Sequence, residues 1–138
     1  MFRLQKRCIR KIMNKPPRFT CRSLFKEVSV LPLSCVYLLE VASHALKNRD
    51  HFLTGHYVHR YSTRHRDFLR MDTHRTAALE SSPSYIGRKV FNKLPYSLRS
   101  LQELKTFRKC LKAWLMTHCY YSVQEFLSHT LDVTNVIG

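Results

Sequence analysis

The segment at residues 56–75 contains the side chains of this sequence that are best suited to binding chemistry. Five arginines and four histidines lie there among aromatic residues, and only Asp67 and Asp72 oppose their charge. The segment has no helical or strand apolar period, so we expect its side chains to be displayed rather than packed. Guanidinium groups bind phosphate oxygens, and aromatic rings stack on unpaired bases. We interpret the segment as a nucleic-acid contact, and the alternative interpretation is a solvated, half-ordered loop.

The predicted contact has two parts, the segment 56–75 and a basic helix face later in the chain. In the segment, arginines contact phosphates and aromatic residues stack on bases. The helix face adds further cations to this patch. If five phosphate contacts form on a single strand, a plot of log affinity against log salt concentration should have a slope of about −3.5. The predicted residues are Arg60, Arg64, Arg66, Arg70, Arg75, Tyr57, Tyr61, Phe68, Lys105, Arg108, Lys109 and Lys112.

The sequence contains no convincing catalytic constellation. It has neither of the glycine-rich motifs that cradle nucleotide phosphates. Cys119 follows His118, but consecutive residues of a helix point about 100° apart and do not face each other. Asp67 and Asp72 lie among arginines, where we expect them to balance charge. We therefore predict no catalytic residues and no enzymatic activity.

Metal binding is also disfavoured by residue spacing. The five cysteines lie too far apart for a zinc finger. His56, His59 and His65 are near one another, but histidines among arginines more often add hydrogen bonds and partial charge. Glu40 and His44 are two ligand types four residues apart, which is weak support for a site. We predict no metal site and no cofactor.

Composition bounds the class of protein and of partner. The chain has 138 residues, 44% of them hydrophobic, which suits one folded domain. Twenty-four Lys and Arg stand against nine Asp and Glu, a net charge of +15. Such an imbalance is relieved by a polyanion, so nucleic acid is the first candidate partner, ahead of an anionic membrane surface and an acidic protein. The odd number of cysteines indicates reduced thiols, and no apolar run is long enough for a transmembrane helix.

The elements that position these residues are predicted to be helices. Residues 1–15 form a basic amphipathic helix that ends at Pro16 and Pro17. Residues 1–26 contain nine Lys and Arg and no acid, so a mitochondrial transit peptide is an alternative interpretation of this end. The predicted buried stripe of the helix is Leu4, Cys8 and Ile12, widened by Ile9 and Met13.

The rest of the chain is predicted to be helical around one long basic loop at about 48–81. Thr20 begins a short helix, and residues 32–47 form the most apolar one, expected at the centre of the core. Residues 82–128 form a helical subregion in which Ser82, a Ser100–Glu103 capping box and a Ser122–Glu125 capping box begin helices. The predicted fold is mainly α, with about five helices in a single region at 1–128 and a frayed tail at 129–138.

A succession of short motifs resembles a known family. The motifs are FRLQKRCIR at 2–10, CRSLFKE at 21–27, HRYSTR at 59–64, VFNKLP at 90–95, FRKCLKAWL at 107–115 and YYSVQEFL at 120–127. In this order they resemble the carboxy-terminal region of non-LTR (LINE-type, jockey-like) retrotransposon reverse transcriptases. The resemblance covers roughly residues 2–128.

The resemblance implies a non-catalytic region that follows the polymerase palm and thumb and helps to hold RNA and target DNA. The palm motif Y/F-A-D-D and the Cys-Cys-His-Cys knuckle of some members are absent, so RNA-directed DNA polymerase activity is not carried over. Met1 is then expected to start inside a fragmentary element or a misdrawn gene, and the missing polymerase core becomes a second partner. We expect a nuclear or cytoplasmic protein, with a mitochondrial location as the alternative. The alternatives to nucleic-acid binding are a non-functional structural remnant and a membrane-surface helical protein.

Overall fold

The computed structural model describes residues 1–49, 69, 71 and 76–128, and this part of the chain is mainly helical. The mainly α prediction is confirmed. This described part contains eight helices, where the apolar pattern indicates about five; two of the eight have four residues and are too short to show a period. The helices are α1 (Phe2–Ile12), α2 (Cys21–Glu27), α3 (Leu33–Lys47), α4 (Ala77–Glu80), α5 (Pro83–Lys93), α6 (Tyr96–Arg99), α7 (Leu104–His118) and α8 (Val123–Ser128).

The chain divides into two compact units. Unit 1 comprises Met1–Leu39 and Lys109–Thr130, so it is assembled from segments far apart in sequence. The described residues of unit 2 lie between Glu40 and Arg108, and the predicted tail at 129–138 lies outside the described residues. Both α3 and α7 are continuous helices that contribute residues to each unit.

Unit 1 has a core in which α1 and α2 pack against the chain that follows α7. Ile9, Leu24, Phe25 and Cys119 are buried there, each no more than 4% exposed. Phe2 packs against the same cluster. Burial of this apolar surface is the main favourable contribution to folding.

The buried face of α1 differs from the predicted stripe. Leu4 and Ile12 are 58% and 73% exposed and Cys8 is exposed, whereas Ile9 is buried. A strict four-residue repeat advances about 40° around a helix at each step, so such a row drifts away from any single face. Phe2, the largest apolar side chain of α1, sets the face instead, and Ile9 lies seven residues beyond it.

Gln5 is a polar residue of α1 whose side chain makes two hydrogen bonds to the chain around the start of α3. Its amide nitrogen donates to the carbonyl of Leu31 at 3.0 Å, and its amide oxygen accepts from the N–H of Leu33 at 2.9 Å. The second bond satisfies one of the N–H groups that the first turn of α3 leaves without an intrahelical partner. One side chain therefore ties α1 to the beginning of α3.

Helix α3 has a buried side, but it is not buried all round. Cys35 and Leu38 are at most 1% exposed, while Leu33, Val36 and Tyr37 are 41%, 39% and 37% exposed. The outer side of its first two turns is therefore apolar but not part of the core, although the sequence places the helix at the centre of the core. These three residues form an apolar patch on the surface of unit 1.

Unit 2 is held together by close approach of its helices. Phe91 of α5 and Phe107 of α7 pack with ring centroids 6.0 Å apart, and both are at most 1% exposed. Gly87 of α5 lies so close to α3 that a Cβ atom there would be 2.5 Å from the carbonyl oxygen of Val41. Glycine is thus needed because of space, since its backbone φ is not positive.

Helix beginnings follow the predicted caps in two places. The hydroxyl of Ser82 accepts from the N–H of Tyr85 at 3.3 Å, with Pro83 as the first helical residue. The hydroxyl of Ser122 accepts from the N–H of Glu125 at 3.0 Å at the start of α8. The predicted Ser100 capping box is wrong, because Ser100 ends α6 instead of beginning α7.

Part of the predicted loop at 48–81 is ordered helix. Thr76 caps α4 by accepting from the N–H of Leu79 at 3.3 Å, so regular structure resumes before residue 82. Leu69 is 2% exposed, which makes it a core residue of unit 2 and not a displayed one. The prediction failed here because one apolar anchor and a single helical turn create no apolar period.

Candidate nucleic-acid interface

Eight of the twelve predicted contact residues lie outside the described residues. These are Arg60, Arg64, Arg66, Arg70, Arg75, Tyr57, Tyr61 and Phe68. The four cations of the later helix face are all described, and they belong to α7.

Lys105, Lys109 and Lys112 form one exposed face of α7, which we call the lysine face. With about 100° per residue, the three positions fall within an arc of roughly 60°. The opposite side of the helix carries Phe107 and Leu111, which are at most 1% exposed. The apolar side fixes the helix on the core, and the lysine face is directed to solvent as predicted.

Arg108 differs from its three neighbours because it is paired. Its guanidinium donates two hydrogen bonds to the carboxylate of Glu40, at 2.7 and 3.3 Å. The hydrogen bond raises the pKa of Arg108 and lowers the pKa of Glu40 from its ordinary value. Arg108 is therefore neutralised by a carboxylate in the place where the sequence predicts a phosphate contact.

Unit 1 carries most of the unbalanced charge of the described chain. It contains eleven Lys and Arg but only Glu27 and Glu125 as acids. On α1, Arg3, Arg7 and Lys11 are exposed. Because solvent-exposed cations attract a polyanion without specific geometry, this surface suits phosphate groups.

One cation of unit 1 is structural. Arg22 of α2 donates to both carboxylate oxygens of Glu125 in α8, at 2.9 and 3.2 Å, and to the carbonyl oxygen of Cys119 at 3.0 Å. The guanidinium carbon also lies 4.2 Å from the ring centroid of Tyr121. The hydrogen bond to Glu125 raises the pKa of Arg22, although burial opposes the shift.

An exposed aromatic residue lies beside cations in the turn between α1 and α2. Phe19 is 37% exposed, and the Nζ atom of Lys15 lies 5.1 Å from its ring centroid. The Nε atom of Arg10 donates to the carbonyl of Phe19 at 2.9 Å. Sequence reasoning missed this group, although an aromatic residue directly after Pro-Pro-Arg in an acid-free stretch was a usable signal.

The basic segment 56–75 is anchored to α5 at one described residue. The amide oxygen of Asn92 accepts from the N–H of Leu69 at 2.8 Å, and its amide nitrogen donates to the carbonyl of Leu69 at 2.8 Å. Together with the burial of the Leu69 side chain, this pair fixes one position within the segment to unit 2.

Two of the buried thiols, Cys35 and Cys119, are poorly suited to act as nucleophiles. Burial raises the pKa of Cys35 to about 12, and burial also raises the pKa of Cys119. A protonated thiol is a weak nucleophile at neutral pH. His118, the neighbour of Cys119, lies with Nδ1 2.9 Å from the carbonyl of Trp114 and with its ring against that indole.

Within residues 1–49, 69, 71 and 76–128, no group of three His, Cys, Asp or Glu side chains has the arrangement of a metal site. In the same part of the chain, no helix combines the length and apolarity that a membrane crossing needs. Comparison with known protein families, curated proteins and solved structures gives no match.

Proposed function

We propose that this chain binds the phosphate backbone of RNA or DNA without sequence preference. We propose further that it is a non-catalytic fragment related to the carboxy-terminal region of a LINE-type retrotransposon reverse transcriptase. The family part of the proposal is supported by the ordered motifs between residues 2 and 128. The binding part is supported by the surface chemistry of the described residues.

The observation that carries the binding proposal is the lysine face of α7. Lys105, Lys109 and Lys112 are exposed, lie on one side of a packed helix, and have no ion-pair partner among the described residues. The packed helix already holds the three lysines on one side, so the backbone needs no ordering when a phosphate backbone is met, and only the side chains do.

The test is the salt dependence of affinity, measured by fluorescence anisotropy with labelled single-stranded RNA, single-stranded DNA and duplex DNA. Replacing Lys105, Lys109 and Lys112 by Gln removes up to three phosphate contacts. The log–log salt slope on single strands should then become shallower by about 2. Affinity for all sequences should fall together, because phosphate contacts carry no base information.

The matched control is the triple Lys→Arg variant at the same positions. It keeps the charge, so it should retain the wild-type slope. A wild-type affinity that does not respond to salt would refute backbone binding. Equal loss in the Gln and Arg variants would mean that the lysine face matters for folding and not for contact.

The apolar patch of α3 favours a second candidate, a structural remnant that packs against a missing polymerase core. Leu33, Val36 and Tyr37 are each more than a third exposed. An isolated chain with this patch uncovered should self-associate. Sedimentation and thermal melting of the wild type and of Val36→Lys separate the candidates. If both proteins are monomers that melt cooperatively, the chain is an independent module. If only the variant is a monomer, the remnant is favoured.

For location, we propose the nucleus or cytoplasm, where nucleic acid is available to a chain with this charge. The basic acid-free stretch at 1–26 keeps a mitochondrial location as the competing proposal. A fluorescent fusion at the carboxyl end distinguishes them, since import into mitochondria would place the signal there.

A further inference from the structure

The turn between α1 and α2 has a backbone that is held at several points. Asn14 takes a left-handed conformation with φ of 54°, and the N–H of Lys15 donates to the carbonyl of Arg10 at 2.8 Å. The N–H of Phe19 donates to the carbonyl of Pro16 at 3.0 Å. Two consecutive prolines further restrict the chain, since the pyrrolidine ring fixes φ.

This backbone directs an aromatic side chain toward solvent among positive charges. Phe19 is 37% exposed even though it lies only two residues before Cys21, which is 2% exposed. Lys15 and Arg18 are exposed on the same turn, and Arg10 bonds to the Phe19 carbonyl. The nearest acid in sequence is Glu27, at the far end of α2.

Hydrophobic burial accounts for this arrangement only in part, because 37% of Phe19 stays in contact with water. The exposed part of the ring gains none of the stabilisation that burial gives. The ring face does attract cations and the flat faces of unpaired bases, and Lys15 already lies over it at 5.1 Å. An exposed ring with flanking cations is the combination that binds a nucleotide of a single strand, with stacking for the base and charge for the phosphate.

We propose that Phe19 is a stacking site for one unpaired base of single-stranded nucleic acid, with Lys15 and Arg18 as the phosphate contacts. The proposal deepens the binding function proposed above and rests on it. It adds a preference that the lysine face of α7 cannot supply, because phosphate contacts are available on duplexes and single strands alike. In a duplex the base faces are covered by their neighbours, so the Phe19 site discriminates against paired strands.

The held turn strengthens the argument. A base that stacks on a loosely tethered ring must also order the ring, which reduces net affinity. Here the Arg10 bond to the Phe19 carbonyl and the two backbone bonds fix the main chain before binding. Only the side chains of Phe19, Lys15 and Arg18 remain to be ordered.

The experiment compares Phe19→Leu with wild type on oligo(dT), oligo(rU) and a duplex of equal length. Leu keeps an apolar side chain but has no ring, so single-strand affinity should fall by about 5- to 150-fold, the range for losing one base–aromatic stack. Duplex affinity should stay unchanged. Tyr96→Leu is the matched control, because Tyr96 is also exposed (53%) beside an arginine, Arg99, but lies outside this turn.

A second variant reports stacking directly and shows that the turn is intact. Phe19→Trp should retain single-strand binding, and its added indole fluorescence should be quenched by oligo(dT). The wild type, whose sole tryptophan is Trp114, should not show that quenching. Replacing Lys15 and Arg18 by Gln should make the single-strand salt slope shallower by about 1.4.

The outcomes separate the two proposals. If wild type binds nucleic acid but Phe19→Leu binds single strands equally well, the stacking site is refuted and backbone binding stands. If Phe19→Leu weakens duplex and single-strand binding alike, base stacking is again refuted. If wild type binds neither form, both proposals are overturned.

Discussion

Arg22 and Glu125 are 103 residues apart in sequence, and two hydrogen bonds of 2.9 and 3.2 Å join their side chains. The pair connects α2 to α8 within unit 1. Glu125 also accepts from the N–H of Tyr121 at 3.2 Å, so the carboxylate holds both the guanidinium and the backbone that leads into α8. A surface ion pair of this bidentate kind contributes more than an isolated lysine–carboxylate pair, because planar geometry favours both bonds at once.

Glu125→Ala should lower the free energy of unfolding by on the order of 1 kcal/mol, since the side chains are partly solvated and screening limits the gain. Arg22→Lys should lose a large share of the same stability, because an ammonium cannot reproduce the fork of bonds. Urea denaturation followed by circular dichroism measures both. The control is Lys26→Ala, a substitution at an exposed position of α2. Equal losses of stability in all three variants would contradict a specific contribution of the Arg22–Glu125 pair.

Glu40→Gln should increase affinity for nucleic acid. The change removes the carboxylate that binds Arg108 and adds a cation beside the lysine face. The single-strand salt slope should become steeper by about 0.7, the contribution of one further phosphate contact.

The matched control for that prediction is Glu103→Gln, which removes the same charge from an exposed residue that accepts from the hydroxyl of Thr106 and not from an arginine. An identical slope change in both variants would show that net charge, and not the release of Arg108, is responsible.

Gly87→Ala should destabilise the protein by about 1 to 3 kcal/mol, because the added Cβ meets the carbonyl oxygen of Val41 at 2.5 Å. The direction of the change in unfolding free energy is the decisive result, because the same substitution in an unobstructed helix interior stabilises a protein by about 1 kcal/mol. Thermal and urea unfolding measure the change, with Lys89→Ala on the exposed side of α5 as control. A more stable Gly87→Ala protein would mean that α3 and α5 are not this close.

Stability should fall in alkali through buried groups of unit 1. Burial raises the pKa of Cys35 from 9.0 to about 12, and that of Tyr120 and Tyr121 from 10.0 to about 12. A raised folded pKa favours the neutral form, so the stabilisation is present below pH 9 and is lost as pH rises towards 12.

Cys35→Ser removes one of these ionisations while keeping a donor for the Tyr120 carbonyl. The loss of unfolding free energy between pH 9 and 12 should then become less steep, by up to about 1.4 kcal/mol per pH unit. Denaturant titrations across that range provide the measurement. Cys110→Ser is the control because that thiol is exposed in the fold; a parallel change there would exclude Cys35 as the cause.

Local patterns in the sequence predicted local structure well. The Ser82–Pro83 start of α5 and the apolar row of α7 follow from capping and period alone, and both are confirmed. The buried face of α1 could not be read in this way, because the choice between Leu4 and Ile9 depends on what packs against the helix. Such contacts come from segments distant in sequence.

The candidate site was predictable in charge but not in pairing. Helical spacing was enough to group Lys105, Lys109 and Lys112. Nothing in the sequence indicates that Arg108 meets Glu40, which is 68 residues away. The Phe19 turn was missed for a different reason, since it depends on a left-handed residue and on side-chain bonds to the backbone that have no period.

The composition of unit 1 from two distant stretches has a consequence for biosynthesis. Residues 1–39 leave the ribosome before Lys109–Thr130 have been translated. At ordinary elongation rates the intervening stretch takes roughly 3 to 14 s to make. During that interval Ile9, Leu24 and Phe25 lack the later residues that cover them. A premature stop codon near the 3′ end of the message would thus harm the earliest-made part of the polypeptide, and chaperones that hold nascent chains would be its first partners.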